Sequence, residues 1–274
     1  MTLDGIGLAG CGRMGAGMLA ALRRNGFDAR GFDVRKPETF GALAAFVSDD
    51  AADFGLGLRT LISVVRDIPQ TEEVLFGTQG FARGASLERI IISSTLSPRY
   101  VRSLRGRVPA HVTVIDAPMS GAQIAAEEAR LSFMLGGTDS DLDAAQPLFA
   151  AMGRHFHRMG GYGAGMQAKV LNNLLAAAHT AMTRLVLDWA DEAGLDETEL
   201  LTLIATSSGQ NWFASGFDSI EFSRDGFDPE NTIGILVKDV ESARDAAPEG
   251  ADLRLLETVQ NRLRTLTPRA RLRD

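Results

Sequence analysis

Three polar side chains lie close together in the segment GYGAGMQAKVLNN, which covers residues 161–173. Lys169, Asn172 and Asn173 are spaced i, i+3 and i+4, so a helix would place them on one face. The residues between and after them are mostly valine and leucine, and a helix that is apolar around most of its circumference is expected to be buried. A surface lysine beside two surface amides therefore fits the pattern poorly.

A buried lysine on such a helix could carry a proton. Burial and the positive end of the helix dipole both lower the pKa of an ammonium group. A lysine with a pKa near neutrality can exchange a proton with an alcohol or carbonyl oxygen. We therefore predict that Lys169 acts as a general acid/base in the interconversion of an alcohol and a carbonyl. Asn172 and Asn173 would orient the lysine and bind oxygens of a small anionic substrate.

A glycine pattern near the start of the chain predicts a second site. The sequence GLAGCGRMG (7–15) follows an apolar run typical of a buried strand and begins a helical pattern. Gly10 would form the tight turn, Gly12 would let the backbone approach a pyrophosphate, and Gly15 would let helix and strand pack closely. We predict a dinucleotide site at Gly10, Gly12, Arg13, Met14 and Gly15, where the helix start favours phosphate. A tight turn without a ligand is the alternative.

The residues after the next predicted strand bear on the choice of cofactor. Asp33 ends the run DARGFD, 23 residues after Gly10. A carboxylate there can accept hydrogen bonds from ribose hydroxyls and repel a 2′-phosphate, which favours NAD over NADP. Arg35 and Lys36 follow directly and favour NADP. We predict NAD as the cofactor, with NADP as the alternative.

Hydroxyl groups near two later strand ends suggest an anion site. In DAPMSGA (116–122), the Ser120 hydroxyl and the N–H groups around Gly121 could bind a carboxylate, although a helix cap by Ser120 explains the same residues. Thr95 in SSTLSP lies where parallel sheets usually bind ligands. Lys238 and Asp239 lie together on a predicted helix, and a solvated charge pair is the simplest interpretation of them alone.

Apolar patterns indicate the elements that must position these residues. Strands are predicted at 6–10, 28–33, 60–65, 89–94, 112–118 and 131–137, with helical patterns such as 14–25 between the early ones. This alternation predicts an α/β domain with a mainly parallel sheet. A helix is predicted over 166–193, ending at Gly194, followed by helices at 196–206, 232–247 and 251–266. The sequence therefore predicts an α/β domain at 1–161 and an all-helical domain at 162–274.

Composition narrows the classes of function. The net charge of −7 disfavours non-specific nucleic-acid binding, and the basic run at 262–273 fits a solvated helix end. A single cysteine excludes an internal disulfide and a clustered Cys/His metal site. No apolar run approaches the roughly 20 residues that cross a bilayer, and no signal peptide is evident, so we expect a cytoplasmic protein without membrane contact.

These motifs, in this order, resemble those of the β-hydroxyacid dehydrogenase family, which includes 3-hydroxyisobutyrate dehydrogenase. GLAGCGRMG is similar to the nucleotide motif of the family, DAPMSGA to its substrate motif, GAGMQAKVLNN to its catalytic motif, and KDV (238–240) to its cofactor-contacting lysine motif. The resemblance covers essentially the whole chain. It implies a Rossmann-like domain, a long interdomain helix and a helical C-terminal domain.

The resemblance also implies roles for single residues. Lys169 would be the acid/base, Ser120, Gly121 and Asn173 would bind the substrate, and Thr95 and Lys238 would lie near the nicotinamide end of the cofactor. The apolar helix 166–193 is more hydrophobic than a small helical domain needs. Together with the resemblance, it predicts a homodimer or homotetramer.

Four positions depart from the family pattern. Ala122 and Ala129 replace common glycines, Leu185 replaces a common glutamate, and Asn231 stands where an apolar or aromatic residue is usual. Ala122 and Asn231 put the usual substrates in doubt.

Two alternative functions stay open. An imine reductase is the first, although that related group usually lacks the lysine. A nucleotide-binding module without catalysis is the second.

Overall fold

The computed structural model describes residues 3–270, and the chain divides into two compact units between Lys169 and Val170. The first unit is an α/β domain with a nine-stranded sheet, and the second is built from helices. The predicted fold class is therefore confirmed. The domain boundary placed at 161/162 stays a prediction.

The sheet contains every strand that the apolar runs predict, together with three short or polar strands that they do not. The predicted strands are β1 (Ile6–Ala9), β2 (Ala29–Phe32), β4 (Thr60–Ser63), β5 (Arg89–Ile92), β6 (Thr113–Asp116) and β8 (Leu131–Gly136). The additional strands are β3 (Val47–Ser48), β7 (Met119–Ser120) and β9 (Gly153–Gly160).

The strand order is β3-β2-β1-β4-β5-β6-β8-β7, and β9 pairs with β8. Strands β1 to β6 pair in parallel, so their carboxyl ends meet at one edge of the sheet. Strand β8 runs antiparallel to β6 and β7. The predicted nucleotide and substrate motifs follow β1, β2, β5 and β6, and they therefore lie at this common edge.

Both faces of the parallel strands are buried, which explains their nearly continuous apolar sequences. In β5, Ile91 packs into one core while Ile90 and Ile92 pack into the other, because successive side chains of a strand point to opposite faces. The helices of this unit are α1 (Arg13–Arg24), α2 (Ala51–Gly55), α3 (Ile68–Leu75), α4 (Pro98–Leu104), α5 (Ala122–Glu127) and α6 (Asp139–Met152). Two 3₁₀ segments accompany them, at Pro37–Phe46, interrupted at Gly41, and at Phe81–Arg83.

The second unit begins within the longest helix, α7 (Ala164–Glu192). This helix ends just before Gly194, whose φ of +70° suits a glycine that terminates a helix. The remaining helices are α8 (Glu197–Ala205), α9 (Trp212–Ser215), α10 (Thr232–Asp245) and α11 (Arg254–Arg264). Their apolar faces form one core that includes Phe213, Phe217 and Leu263.

The described residues, 3–270, lack two features: a membrane-spanning helix and a metal-binding cluster of side chains. No helix in this range combines the length and apolarity that a bilayer crossing requires. No group of three or more histidine, cysteine, aspartate or glutamate side chains in the same range is arranged to hold a metal ion. The last residues of the predicted basic run, 271–273, lie outside the described part of the chain.

Two alanines adopt the left-handed backbone conformation that usually requires glycine. Ala122 has a φ of 55° and Ala129 a φ of 53°, and no other non-glycine residue between 3 and 270 has a positive φ. These are the two positions at which the resemblance leads one to expect glycine. A Cβ in this conformation costs about 1–2 kcal/mol, so both sites are strained.

We predict that Ala129→Gly stabilises the protein. The glycine removes the strain but adds freedom to the unfolded chain, and the net gain in the free energy of unfolding should be about 0.5–1 kcal/mol. Denaturant unfolding measures this difference. Ala150→Gly is the matched control, because Ala150 is an exposed residue inside α6 and its replacement should destabilise by about 1 kcal/mol. Equal destabilisation by both variants would contradict the prediction.

Candidate active site

The glycine loop between β1 and α1 has the geometry of a nucleotide site. Gly10 has a φ of +95°, and its N–H donates to the Phe32 carbonyl oxygen at 2.9 Å. A Cβ on Gly15 would overlap the Gly10 carbonyl oxygen, so helix and strand approach too closely for any side chain there. Gly12 is exposed, and a Cβ there would meet nothing within 4 Å. Gly10 is therefore needed for its backbone conformation and Gly15 for close packing. Gly12, in contrast, presents bare backbone to open space.

The start of α1 can bind an anion. Gly12 is the N-cap, no side chain caps the helix, and the first turn contains no acidic residue. The N–H groups of Arg13, Met14 and Gly15 have no acceptor within the helix, because the first turn of every helix lacks one. With the positive end of the helix dipole, these groups fit the pyrophosphate of a dinucleotide. The residues present are thus compatible with the predicted cofactor.

Asp33, which directly follows β2, accepts hydrogen bonds from neighbouring donors at both carboxylate oxygens. Its Oδ2 accepts from the Cys11 N–H at 2.9 Å and from Arg35 Nη2 at 3.1 Å, and its Oδ1 accepts from the Arg35 N–H and Nε, both at 3.0 Å. A carboxylate has about four acceptor positions, so all of them are in use. Burial alone would raise the pKa of the Asp33 carboxyl, but the hydrogen bonds from Arg35 outweigh it and hold the pKa below its usual range.

The substrate motif lies on β7 and the start of α5. Ser120 pairs with Ser132 of β8, and Gly121 has a φ of +138°. Gly121, not Ser120, is the N-cap of α5, and no side chain caps that helix. The interpretation of Ser120 as a helix cap is therefore wrong, and its hydroxyl serves no such role. Thr95 follows β5 at the same edge of the sheet.

The predicted polar residues of α7 differ in burial. Lys169, in the second turn of the helix, is buried, with only 6% of its surface exposed. Asn173, one turn further along, is 8% exposed. Asn172 is exposed. A lysine and an amide are thus buried one turn apart on a single helix, as the apolar neighbours predict, while the second amide reaches the surface.

Within the second unit, Asn173 is held by a carboxylate from α10. Its Nδ2 donates to Asp239 Oδ2 at 2.6 Å, and its Oδ1 accepts from Asn172 Nδ2 at 3.3 Å. Lys238 Nζ lies 3.4 Å from Asp239 Oδ1. These two hydrogen bonds fix the amide orientation of Asn173. The sequence indicates Asp239 only as a charge partner of Lys238 and gives no sign of this contact.

Asn231 has a structural role that the family pattern does not predict. Its Oδ1 accepts from the Gly234 N–H at 3.1 Å, which makes it the N-cap of α10, and its Nδ2 donates to the Gly226 carbonyl oxygen at 2.8 Å. The departure from the family pattern at this position therefore secures the helix that carries Lys238 and Asp239. The characteristic spacing of an N-cap asparagine before an apolar helix is the signal that could have found it.

Comparisons with known proteins decide the family. Residues 5–161 match the model of the NAD-binding domain of 6-phosphogluconate dehydrogenase, and residues 163–272 match the NAD-binding model of NADP-dependent 3-hydroxyisobutyrate dehydrogenase. The 3-hydroxyisobutyrate dehydrogenase of Pseudomonas aeruginosa is 32% identical over 76% of this chain and 71% of its own. The chain belongs to the β-hydroxyacid dehydrogenase family.

Other members of the β-hydroxyacid dehydrogenase family are similarly related. The L-threonate dehydrogenase of Cupriavidus necator is 29% identical over 88% of this chain and 83% of its own. A structure of the Mycobacterium tuberculosis 3-hydroxyisobutyrate dehydrogenase with L-serine has a TM-score of 0.78 and 27% identity, covering 95% of this chain and 92% of that one. The present chain is therefore an enzyme, an NAD(P)-dependent oxidoreductase of hydroxyacids.

Proposed function

We propose that this enzyme interconverts a small β-hydroxyacid and its semialdehyde, with Lys169 as the general acid/base. The observation that carries the proposal is the pair of Lys169 and Asn173, both buried and one turn apart on α7. Burial disfavours the charged form of an ammonium group, which eases the exchange of its proton. A lysine buried one turn from a buried amide can therefore serve as a proton carrier, and this supports the proposed role.

The roles of the residues follow from their donors and acceptors. In oxidation, neutral Lys169 removes the proton of the substrate hydroxyl, and in reduction its ammonium form protonates the developing alkoxide. Asn173 donates its remaining amide N–H to the reacting oxygen. Ser120 and the backbone at Gly121 bind the substrate carboxylate, and Asn172 contributes a further amide. A bound nicotinamide supplies the hydride acceptor or donor.

The cofactor residues are proposed in the same way. Gly10, Gly12, Arg13, Met14 and Gly15 hold the pyrophosphate, and Thr95 and Lys238 contact the nicotinamide end. Asp33 binds the adenosine ribose. Since the acceptor positions of Asp33 are filled, Arg35 must turn away when the ribose binds, which its half-exposed side chain permits. NAD is the proposed preferred cofactor.

A substrate screen tests the proposed function. The panel contains 3-hydroxyisobutyrate, L-serine and L-threonate, the compounds on which named relatives act, together with the unbranched 3-hydroxypropionate. Each is assayed with NAD⁺ and with NADP⁺. Cyclic amines and imines form the parallel arm. Turnover of a hydroxyacid supports the proposal, turnover of imines alone would favour an imine reductase, and nucleotide binding without turnover of either class would favour a silent module.

We further propose a homodimer or homotetramer assembled through α7. Four large apolar residues of this helix are exposed, at 51%, 61%, 61% and 65% of their surfaces: Leu171, Leu175, Met182 and Trp189. Spacings of four and seven residues place them on one side of the helix. Leu185, at the position of a common glutamate, is half-buried on the same side. A second copy of the chain would remove this apolar stripe from water.

We predict that a charge in this stripe weakens the assembly. Met182→Glu and Trp189→Glu would each place a carboxylate in an apolar interface, which is costly without a partner. Sedimentation and light scattering at micromolar concentration should show a dimer or tetramer for the wild type and a smaller species for both variants. Leu255→Glu is the control, because Leu255 is even more exposed, at 72%, but lies on α11. A monomeric wild type would refute the proposal.

A further inference from the structure

Asp116 is a fully buried carboxylate whose hydrogen-bond donors come from a distant part of the chain. It is the last residue of β6 and has 0% exposure. Its Oδ1 accepts from the Gly163 N–H at 2.6 Å, and its Oδ2 accepts from the Met166 N–H at 2.5 Å. Gly163 directly precedes α7 and Met166 lies in its first turn, 47 and 50 residues later in the sequence than Asp116. The carboxylate therefore joins a central strand of the sheet to the first turn of α7.

Close contacts with β8 surround the Asp116 carboxylate and the start of α7. Asp116 lies opposite Gly136 of β8 in the sheet, and a Cβ on Gly136 would overlap Asp116 Oδ1. A Cβ on Gly165 would overlap the Met134 carbonyl oxygen, so the first turn of α7 rests directly on the backbone of β8. Both glycines allow close approaches that any other residue would prevent. The start of α7 is thus fixed against β6 and β8 together.

This arrangement differs from the usual cap of a helix start. A helix start is usually capped by a serine, threonine or asparagine at its own N-cap position. Here burial raises the pKa of the Asp116 carboxyl, and the two N–H donors act in the opposite direction. Burying a carboxylate is costly, and its two bonds to N–H groups that have no helical acceptor offset that cost in part. Such a group suits a helix start whose position must be held closely.

We propose that Asp116 is a positioning residue for Lys169. By holding Met166 through its N–H, it sets the location and direction of α7 one turn before the lysine, about 4.5 Å along the helix axis. The inference rests on the proposed role of Lys169. Asp116 contacts neither substrate nor cofactor in this role, and its effect on the reaction passes through the backbone of α7.

The test is the variant Asp116→Asn. It keeps the shape of the side chain but places an amide N–H donor, in place of an acceptor oxygen, against one of the two backbone N–H groups. We expect kcat to fall about 10- to 100-fold, because a displacement of the order of 1 Å costs about 10²-fold. The dissociation constant of NAD should stay within about twofold, since the glycine loop is untouched. Tyr162→Phe is the matched control: it removes a hydrogen bond of 2.8 Å to the Val101 carbonyl oxygen from the same loop and should leave kcat nearly unchanged.

A double-mutant cycle separates this inference from the proposed function. If Asp116 acts through Lys169, adding Asp116→Asn to Lys169→Ala should cost less than about twofold more in kcat. An undiminished kcat in Lys169→Ala would refute the proposed function. A different outcome would refute only the role of Asp116. In that outcome Lys169→Ala loses activity, while a folded Asp116→Asn keeps a kcat within about threefold of wild type.

Amide hydrogen exchange of the wild-type protein provides a measurement that needs no folded variant. First-turn amides normally exchange quickly, because no helical carbonyl accepts their protons. The Asp116 carboxylate should make the Gly163 and Met166 amides slow relative to those of the α1 first turn, at Arg13 and Met14. Equally fast exchange at the two helix starts would overturn the inference.

Discussion

Replacing Lys169 with alanine is expected to lower kcat by about 10²- to 10⁴-fold, the usual contribution of general acid–base catalysis. The variant lacks the proposed proton carrier but keeps the glycine loop that follows β1. The dissociation constants of NAD and NADP should therefore remain close to those of the wild type. Steady-state rates in both reaction directions, together with a fluorescence titration of the cofactor, measure these two effects.

Two further variants serve as controls for this result. Lys169→Arg should not restore activity, because a guanidinium stays protonated at working pH and cannot accept the proton. Ser120→Ala should act mainly on KM, since it removes a contact made in both the ground state and the transition state. If Lys169→Ala retained more than about a tenth of the wild-type kcat with chemistry rate-limiting, another residue would have to carry the proton.

Replacing Asp33 with alanine is expected to shift the cofactor preference toward NADP, by roughly 10²-fold in the ratio of kcat/KM values. The change removes an acceptor for the ribose hydroxyls and the negative charge that opposes a 2′-phosphate. It also releases Arg35, which donates three of the four hydrogen bonds that Asp33 accepts. A free guanidinium can bind a phosphate through two parallel hydrogen bonds.

Arg35→Ala is the matched variant in the opposite direction. It leaves the Asp33 carboxylate uncompensated and opens two of its acceptor positions to the ribose, since the backbone N–H bonds from Cys11 and residue 35 remain. The preference for NAD should rise by about tenfold. A wild-type enzyme that clearly prefers NADP, and loses this preference in Arg35→Ala, would show that the arginine decides the cofactor and that the prediction for Asp33 is wrong.

The strands that the sequence predicts are those whose signal is local. Ile90, Ile91 and Ile92 form an apolar run that suits a strand buried on both faces, whichever neighbours it has. Strand β9, GRHFHRMG, is largely polar and exposed, and only its pairing with β8 makes it a strand. Strands β3 and β7 have two residues each, too few to show a period.

The candidate site shows the same division. The glycine spacing after β1 and the i, i+4 spacing of Lys169 and Asn173 are local, so the sequence identifies both. The partner of Asn173 lies 66 residues away on α10, and no spacing announces it. Helical periodicity predicts that residues share a face, but not that Asn172 reaches the surface while Asn173 is buried. Which part of a face is covered depends on the elements packed against it.

The sequence by itself determined six of the nine strands, the nucleotide loop and the helix that carries the lysine. These depend on backbone conformation and on periodic burial, which are properties of neighbouring residues. Only the tertiary structure decided that Arg35 saturates Asp33, that Asp239 orients Asn173 and that Asp116 holds the start of α7. Each of these is a hydrogen bond from a specific donor to a carboxylate. Its formation requires the two groups to meet at about 3 Å in the right direction, and the packing of whole elements sets that geometry.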